Sequence, residues 1–78
     1  MADHGEVPIT IDKTHLKTPT PTTGAALYLL GKVAADYDLW LDVPGADDRL
    51  IPNDAAEEKV KAGSHYYTAK KKLNPGNG

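Results

Sequence analysis

The sequence predicts an α+β domain in which one helix crosses one face of a mixed sheet of four or five strands. Two observations predict it. Apolar and polar residues alternate in several short segments, as in half-buried strands, whereas one segment between them has the three- and four-residue spacing of an amphipathic helix. The length of 78 residues allows one small domain, and the hydrophobic fraction of 40% gives it a thin core.

A β-hairpin is predicted at the start of the domain. Val7, Ile9 and Ile11 fall on one face of an extended segment. Residues 12–14 can turn the chain, and residues 15–18 would return as a short second strand.

The central helix is predicted to begin near Gly24, after a segment rich in threonine and proline. Thr22 or Thr23 can cap it, because a threonine hydroxyl accepts a hydrogen bond from a free N–H of the first turn. The predicted buried stripe consists of Ala26, Leu27, Leu30, Val33 and Ala34. Gly31 is either an unfavourable residue inside the helix or the residue that ends it.

The clearest strand is predicted over residues 37–43, where four apolar residues alternate with Asp38, Trp40 and Asp42. Residues 44–48 have the composition of a turn. A short strand is predicted directly after this turn, over residues 49–51.

The last third of the domain is predicted to hold one or two helical turns and a strand. The helical turns are expected over residues 54–62, with Asn53 or Asp54 as the cap and Gly63 as the stop. The final strand is expected over residues 65–69, which are rich in β-forming residues.

The order of these elements predicts how they pack. We expect the first and last strands to lie side by side and parallel at the centre of the sheet, and a β-grasp fold is the most economical match to this order. The domain is expected over residues 7–72. Residues 1–6 would form a disordered N-terminus, and residues 73–78 a flexible tail.

Composition argues for a binding or carrier protein of the cytoplasm rather than an enzyme. The absence of cysteine excludes disulfides, a thiol nucleophile and cysteine-bound metals. The first residues lack the pattern of a secretory signal, and we expect no membrane association. A net charge of -2 gives no reason to expect nucleic-acid binding.

The histidines do not predict a metal or catalytic site. His4, His15 and His65 are scattered and lack metal-ligand spacing. Ser64 and His65 are adjacent and would point apart in a strand, which argues against a catalytic triad. We therefore expect no metal, no cofactor and no catalysis by the chain itself.

Alternation also predicts a partner-binding face. Trp40 is out of phase with the apolar residues of its strand, so it should point away from the helix. Tyr67 and Ala69 of the last strand would share this outer face, and Tyr66 and Thr68 would point inward. Because tryptophan is enriched at binding hot spots, we expect partners to dock there. An exposed edge strand could also pair with another copy of the chain.

Four segments resemble the bacterial ubiquitin-like proteins, in particular those with a multiubiquitin domain. These segments are Ile9-Thr10-Ile11-Asp12, Thr23-Gly24-Ala25-Ala26-Leu27, Leu39-Trp40-Leu41 and Gly63-Ser64-His65-Tyr66-Tyr67-Thr68. The resemblance covers about residues 7–68. It implies a β-grasp fold and a protein modifier that activating and conjugating enzymes attach to target proteins, with a peptidase for processing or removal.

The resemblance also implies a role for the C-terminal tail. Gly78 would be adenylated and then transferred to a target nucleophile, commonly a lysine amine, and Gly76 would take that role after trimming. The residues that give the tail its reach would be Leu73, Asn74, Pro75 and Asn77. Ubiquitin ends in two adjacent glycines, whereas Asn77 separates the two glycines here. Conjugation through Gly78, trimming and a chain that is not conjugated all remain open.

Two other functions fit the same expected fold. A plain interaction module would bind through Trp40 and carry an inert tail. A sulfur carrier would need a terminal thiocarboxylate, and it ranks lower because the adjacent glycines of such proteins are missing.

Overall fold

The computed structural model describes residues 5–71, which form one helix and two sheets. In chain order the elements are β1 (Glu6–Ile11), β2 (Thr14–Pro19), β3 (Thr22–Thr23), α1 (Gly24–Leu30), β4 (Tyr37–Leu41), β5 (Arg49–Ile51), β6 (Glu57–Glu58) and β7 (Ser64–Lys70). Within these residues, no helix has the length and apolar character that a membrane crossing requires.

The main sheet has five strands in the order β2-β1-β7-β4-β5. Strands β1 and β7 are parallel at its centre, and the other neighbours are antiparallel. The predicted α+β class and the parallel pairing of the first and last strands are therefore confirmed. The predicted hairpin is also confirmed, with Ile11 opposite Thr14. Asp12 and Lys13 form its two-residue turn with φ of 51° and 69°, the backbone that matches the twist of a hairpin.

Helix α1 is shorter than its apolar spacing predicts. Thr23 is the N-cap, and its Oγ1 accepts a 3.1 Å hydrogen bond from the Ala26 N–H. The helix ends at Leu30, and the N–H of Gly31 donates to the Leu27 carbonyl at 3.0 Å. Gly31 is therefore the stop that the sequence allowed for.

The predicted buried stripe of α1 is only partly correct. Leu27 is fully buried and Leu30 packs against the core, but Ala26 is exposed. Val33 and Ala34 lie beyond the helix, because the chain turns away at Lys32, whose φ is 54°, although Val33 still packs against the core. Tyr28 takes the remaining buried position.

The core lies between α1 and the inner face of the main sheet, the face that α1 covers. Its buried members are Ile9, Ile11, Leu27, Tyr28, Leu39, Ile51, Val60 and Tyr66. The Tyr28 hydroxyl joins two strands, because it accepts from the Leu39 N–H at 2.9 Å and donates to the Ile51 carbonyl at 2.8 Å. Each polar atom of this contact is thus satisfied inside the core.

The prediction of helical turns over residues 54–62 is wrong. This segment contains no helix: it begins with a bend, and its strand β6 pairs with β3. The Asp54 carbonyl accepts from the Ala25 N–H at 2.8 Å, and the Val60 N–H donates to Thr20 Oγ1 at 2.9 Å. These partners occupy backbone groups that a helix would have used internally. Asn53 and Asp54 accordingly cap no helix.

Gly24 shows how closely this segment packs on the start of α1. A side-chain carbon on Gly24 would lie 1.8 Å from the carbonyl oxygen of Pro52. The position therefore requires glycine for close approach of two backbones.

A candidate docking face on the sheet

The outer face of the main sheet carries a row of three large side chains across three strands. Trp40 of β4 lies opposite Leu50 of β5 and opposite Tyr67 of β7. Their neighbours Leu39, Ile51 and Tyr66 are buried on the inner face, so alternation directs the row outward. We call Leu50, Trp40 and Tyr67 the aromatic row, after its two aromatic members.

The aromatic row is accessible to a partner. Leu50 is 44% exposed, and Trp40 and Tyr67 are half-buried. Ala69 lies beside the row on the same face, opposite Asp38. The structure thus places Trp40, Tyr67 and Ala69 together, as alternation predicts, while their role in binding stays a prediction.

Sequence reasoning missed Leu50. Its exposure on this face depends on the pairing of Trp40 with Leu50, which is set by the length of the turn between β4 and β5. The alternation of residues 49–51 carried the signal, because an inward Ile51 requires an outward Leu50.

Two open cavities adjoin the aromatic row, one on each side of Tyr67. The first has a volume of about 490 Å³ and is lined by Thr10, Asp12, Lys13, Asp42, His65, Tyr66 and Tyr67. The second has a volume of about 520 Å³ and is lined by Asp38, Trp40, Tyr67, Ala69, Lys70 and Lys71. Tyr67 is common to both cavities, so one ligand segment could contact both.

Asp48 fixes the turn beside the row and is a second residue that sequence reasoning missed. Its carboxylate accepts from the Tyr67 hydroxyl and, at 3.2 Å, from the Val43 N–H. These hydrogen bonds lower the pKa of Asp48 below its ordinary value, and the bond to Asp48 raises the pKa of Tyr67. Asp48 is therefore ionised and Tyr67 is a neutral donor at neutral pH.

The chain leaves β7 beside the aromatic row. The Lys71 N–H donates to the Asp36 carbonyl at 2.8 Å, and the Lys71 ammonium pairs with Asp38 at 3.2 Å. Both contacts hold the last described residue next to β4. The predicted tail and conjugation residues lie outside the described residues, namely Leu73, Asn74, Pro75, Gly76, Asn77 and Gly78.

Near the other end of the face, His65 and Ser64 have separate partners. His65 Nδ1 and Thr10 Oγ1 share a 2.8 Å hydrogen bond, whereas the Ser64 hydroxyl donates to the Lys61 carbonyl at 2.7 Å. This matches the expectation that the two side chains point apart. Over residues 5–71, no group of three histidine, aspartate or glutamate residues is placed to hold a metal ion. His4 lies outside that range.

Comparison with known proteins finds no match to the chain among protein-family models, curated proteins or solved structures.

Proposed function

We propose that the chain is a β-grasp protein that acts as a ubiquitin-like protein modifier. The observation that carries the proposal is the placement of β7. This strand is parallel to β1 at the centre of the sheet, and it ends beside the partly exposed aromatic row. A modifier needs these two features together, because its enzymes must bind the folded domain while they act on the C-terminal tail.

The contacts of Lys71 support a fixed origin for such a tail. Its backbone is bonded to Asp36 and its side chain to Asp38, both near the start of β4. The seven residues that follow Lys71 could extend at most about 25 Å from this point. A partner docked on the aromatic row would then hold its active site within reach of Gly76 and Gly78.

The proposed chemistry belongs to the partner enzymes. The carboxylate of Gly78, or of Gly76 after trimming, attacks the α-phosphorus of ATP and releases pyrophosphate. A cysteine thiolate of the enzyme then displaces AMP to form a thioester, and a target lysine amine displaces the thiolate and loses a proton. Glycine suits the reacting position because it has no side chain to obstruct a narrow active-site channel.

A second function is favoured by the aromatic row itself. An interaction module that binds a partner through Trp40 and Tyr67 needs no reactive tail. Both functions use the aromatic row as the docking face, and they differ only in whether the tail reacts.

The deciding experiment supplies the partner enzymes. The purified full chain is incubated with ATP, magnesium and an extract of the source cells, and adducts are identified by intact-protein and peptide mass spectrometry. A modifier gives an ATP-dependent adduct joined through the carboxylate of Gly78 or Gly76. The interaction module gives none in an extract shown to contain an activating enzyme.

Glycine variants separate the two candidate termini. Gly78→Val should abolish the adduct if Gly78 reacts, and Gly76→Val should abolish it if the tail is trimmed. Gly5→Val is the matched control, since a side chain at Gly5 meets no atom within 4 Å. Adducts that survive both tail substitutions would contradict conjugation through the tail.

A further inference from the structure

The carboxylates that border the aromatic row are paired differently at its two sides. Asp38 precedes Trp40 by two residues and pairs with Lys71 at 3.2 Å. Asp42 follows Trp40 by two residues and lines the cavity on the other side of Tyr67. The ion pairs among residues 5–71 are Arg49–Glu58 and Lys71–Asp38, and Asp42 takes part in neither.

Asp48 adds a second negative charge on the side of Asp42. The hydrogen bond to Asp48 and the negative charges of Asp48 and Asp42 raise the pKa of the Tyr67 phenol. Lys13 lines the same cavity as Asp42, but the two form no ion pair in the described part of the chain. We call Asp42 and Asp48 the acidic end of the docking face.

We propose that the aromatic row and the acidic end together dock a partner segment that carries an arginine next to an apolar residue. This inference rests on the proposed function, because it names the chemistry by which a partner protein would recognise the modifier. The arginine would enter the cavity beside Asp42, and the apolar residue would cover Trp40 and Ala69.

Arginine fits this site better than lysine does. Its planar guanidinium can stack on a tyrosine ring and donate two parallel hydrogen bonds to one carboxylate. The cavity of about 490 Å³ presents both partners, since Tyr67 and Asp42 line it together. Tyr67 also lines the second cavity, which Trp40 lines too, so neighbouring residues of one segment can fill both cavities.

The chain already places two lysines, Lys70 and Lys71, at the cavity that Trp40 lines. Of these, Lys71 forms an ion pair with Asp38 and so compensates its charge. Asp42, the carboxylate on the other side of Trp40, forms no ion pair with a lysine or arginine in the described residues. A cation supplied by another protein would complete this pattern, whereas the phosphates of a nucleic acid would be repelled by the two carboxylates.

The test titrates the ¹⁵N-labelled full chain with the capped peptide acetyl-Leu-Arg-Leu-amide and follows NMR shifts. Trp40 is the one tryptophan of the chain, so its indole N–H reports on the row without ambiguity. The matched control replaces arginine with citrulline, which keeps the shape and removes the charge. We expect the arginine peptide to shift the Trp40 indole and the Tyr67 amide, and to bind about fivefold more tightly than the citrulline peptide.

Two variants assign the charge effect to the acidic end. Asp42→Asn should weaken binding of the arginine peptide about threefold. Glu57→Gln removes the same charge from exposed Glu57 on β6 and should leave binding unchanged. Equal binding of the two peptides, unaltered binding by Asp42→Asn, or shifts confined to residues outside this face would each overturn the inference.

The titration uses neither ATP nor a partner enzyme, so its failure is distinct from failure of the proposed function. If the arginine peptide binds as expected but no adduct forms, the docking chemistry stands and the modifier function falls. If an adduct forms but arginine has no advantage over citrulline, the modifier function stands and the docking chemistry falls.

Discussion

The two faces of the five-stranded sheet are built from alternate residues of the same strands, yet they are held in different ways. On the inner face, Leu39 is fully buried, and its N–H is bonded to the Tyr28 hydroxyl. On the outer face, the next residue, Trp40, is only half-buried between Leu50 and Tyr67. We therefore expect the stability of the fold to depend mainly on the inner face, so that residues of the outer face can be changed to test function.

A pair of leucines gives the largest expected difference between the faces. Leu39→Ala should lower the free energy of unfolding by about 3 kcal/mol, because it leaves a cavity in the core. Leu50→Ala, on the neighbouring strand but 44% exposed, should cost less than about 1 kcal/mol. Urea denaturation of both variants checks this, and equal losses would show that the outer face also supports the fold.

A pair of tyrosines tests the same comparison with single hydroxyl groups. Tyr28→Phe leaves the Leu39 N–H and the Ile51 carbonyl without their buried partner, and should cost about 2 kcal/mol. Tyr67→Phe loses one solvent-exposed hydrogen bond to Asp48 and should cost clearly less. Thermal and urea unfolding measure both losses. A larger loss for Tyr67→Phe would reverse the roles assigned to the two faces.

A pair of cations extends the comparison to ion pairs. Arg49 makes two hydrogen bonds of 3.0 and 3.1 Å to Glu58, which is buried, and they raise the pKa of Arg49. Because the arginine side chain is 54% exposed, solvent reduces the effect, and Arg49→Met should cost about 1 to 2 kcal/mol. Lys71→Met breaks an outer-face pair and should cost less than about 0.5 kcal/mol. Urea unfolding of the two variants distinguishes these values.

The smallest expected effect is a dependence of stability on pH from Asp48. Its pKa is lowered from the ordinary value of 3.8 by the Tyr67 hydroxyl and the Val43 N–H. The stabilisation is therefore present above this value and is lost as the pH falls through the lowered pKa. Asp48→Asn should be less stable than the unaltered chain at about pH 6, and the difference should shrink towards about pH 2. A difference that grows in acid would contradict the assigned hydrogen bonds.

The sequence predicted most of the sheet because alternation there follows burial directly. Ile9, Ile11 and Leu39 mark strands whose inner face must meet the helix, whichever loops connect them. Placement of Trp40 on the opposite face follows from the same alternation. These features depend on local pattern alone.

The remaining features depend on contacts between distant parts of the chain. Residues 54–62 contain good helix formers, but hydrogen bonds to Ala25 and Thr20 and the ion pair of Glu58 hold them in a non-helical path. Leu50 and Asp48 join the docking face through the register between β4 and β5 and the fold of the intervening turn. Alternation within residues 49–51 directs Leu50 outward, but only the strand register and the turn bring Leu50 and Asp48 beside Trp40 and Tyr67.

The most direct test of the modifier function is the yield of the ATP-dependent adduct in an extract of the source cells, compared between Trp40→Ala and Leu29→Ala. Leu29 is 80% exposed on the helix and provides a control that removes an apolar side chain from the other side of the molecule. We expect an adduct from the unaltered chain, an equal yield from Leu29→Ala and a loss of about tenfold for Trp40→Ala. An undiminished yield from Trp40→Ala would contradict docking on the aromatic row, and no adduct from the unaltered chain when an activating enzyme is present would contradict the modifier function.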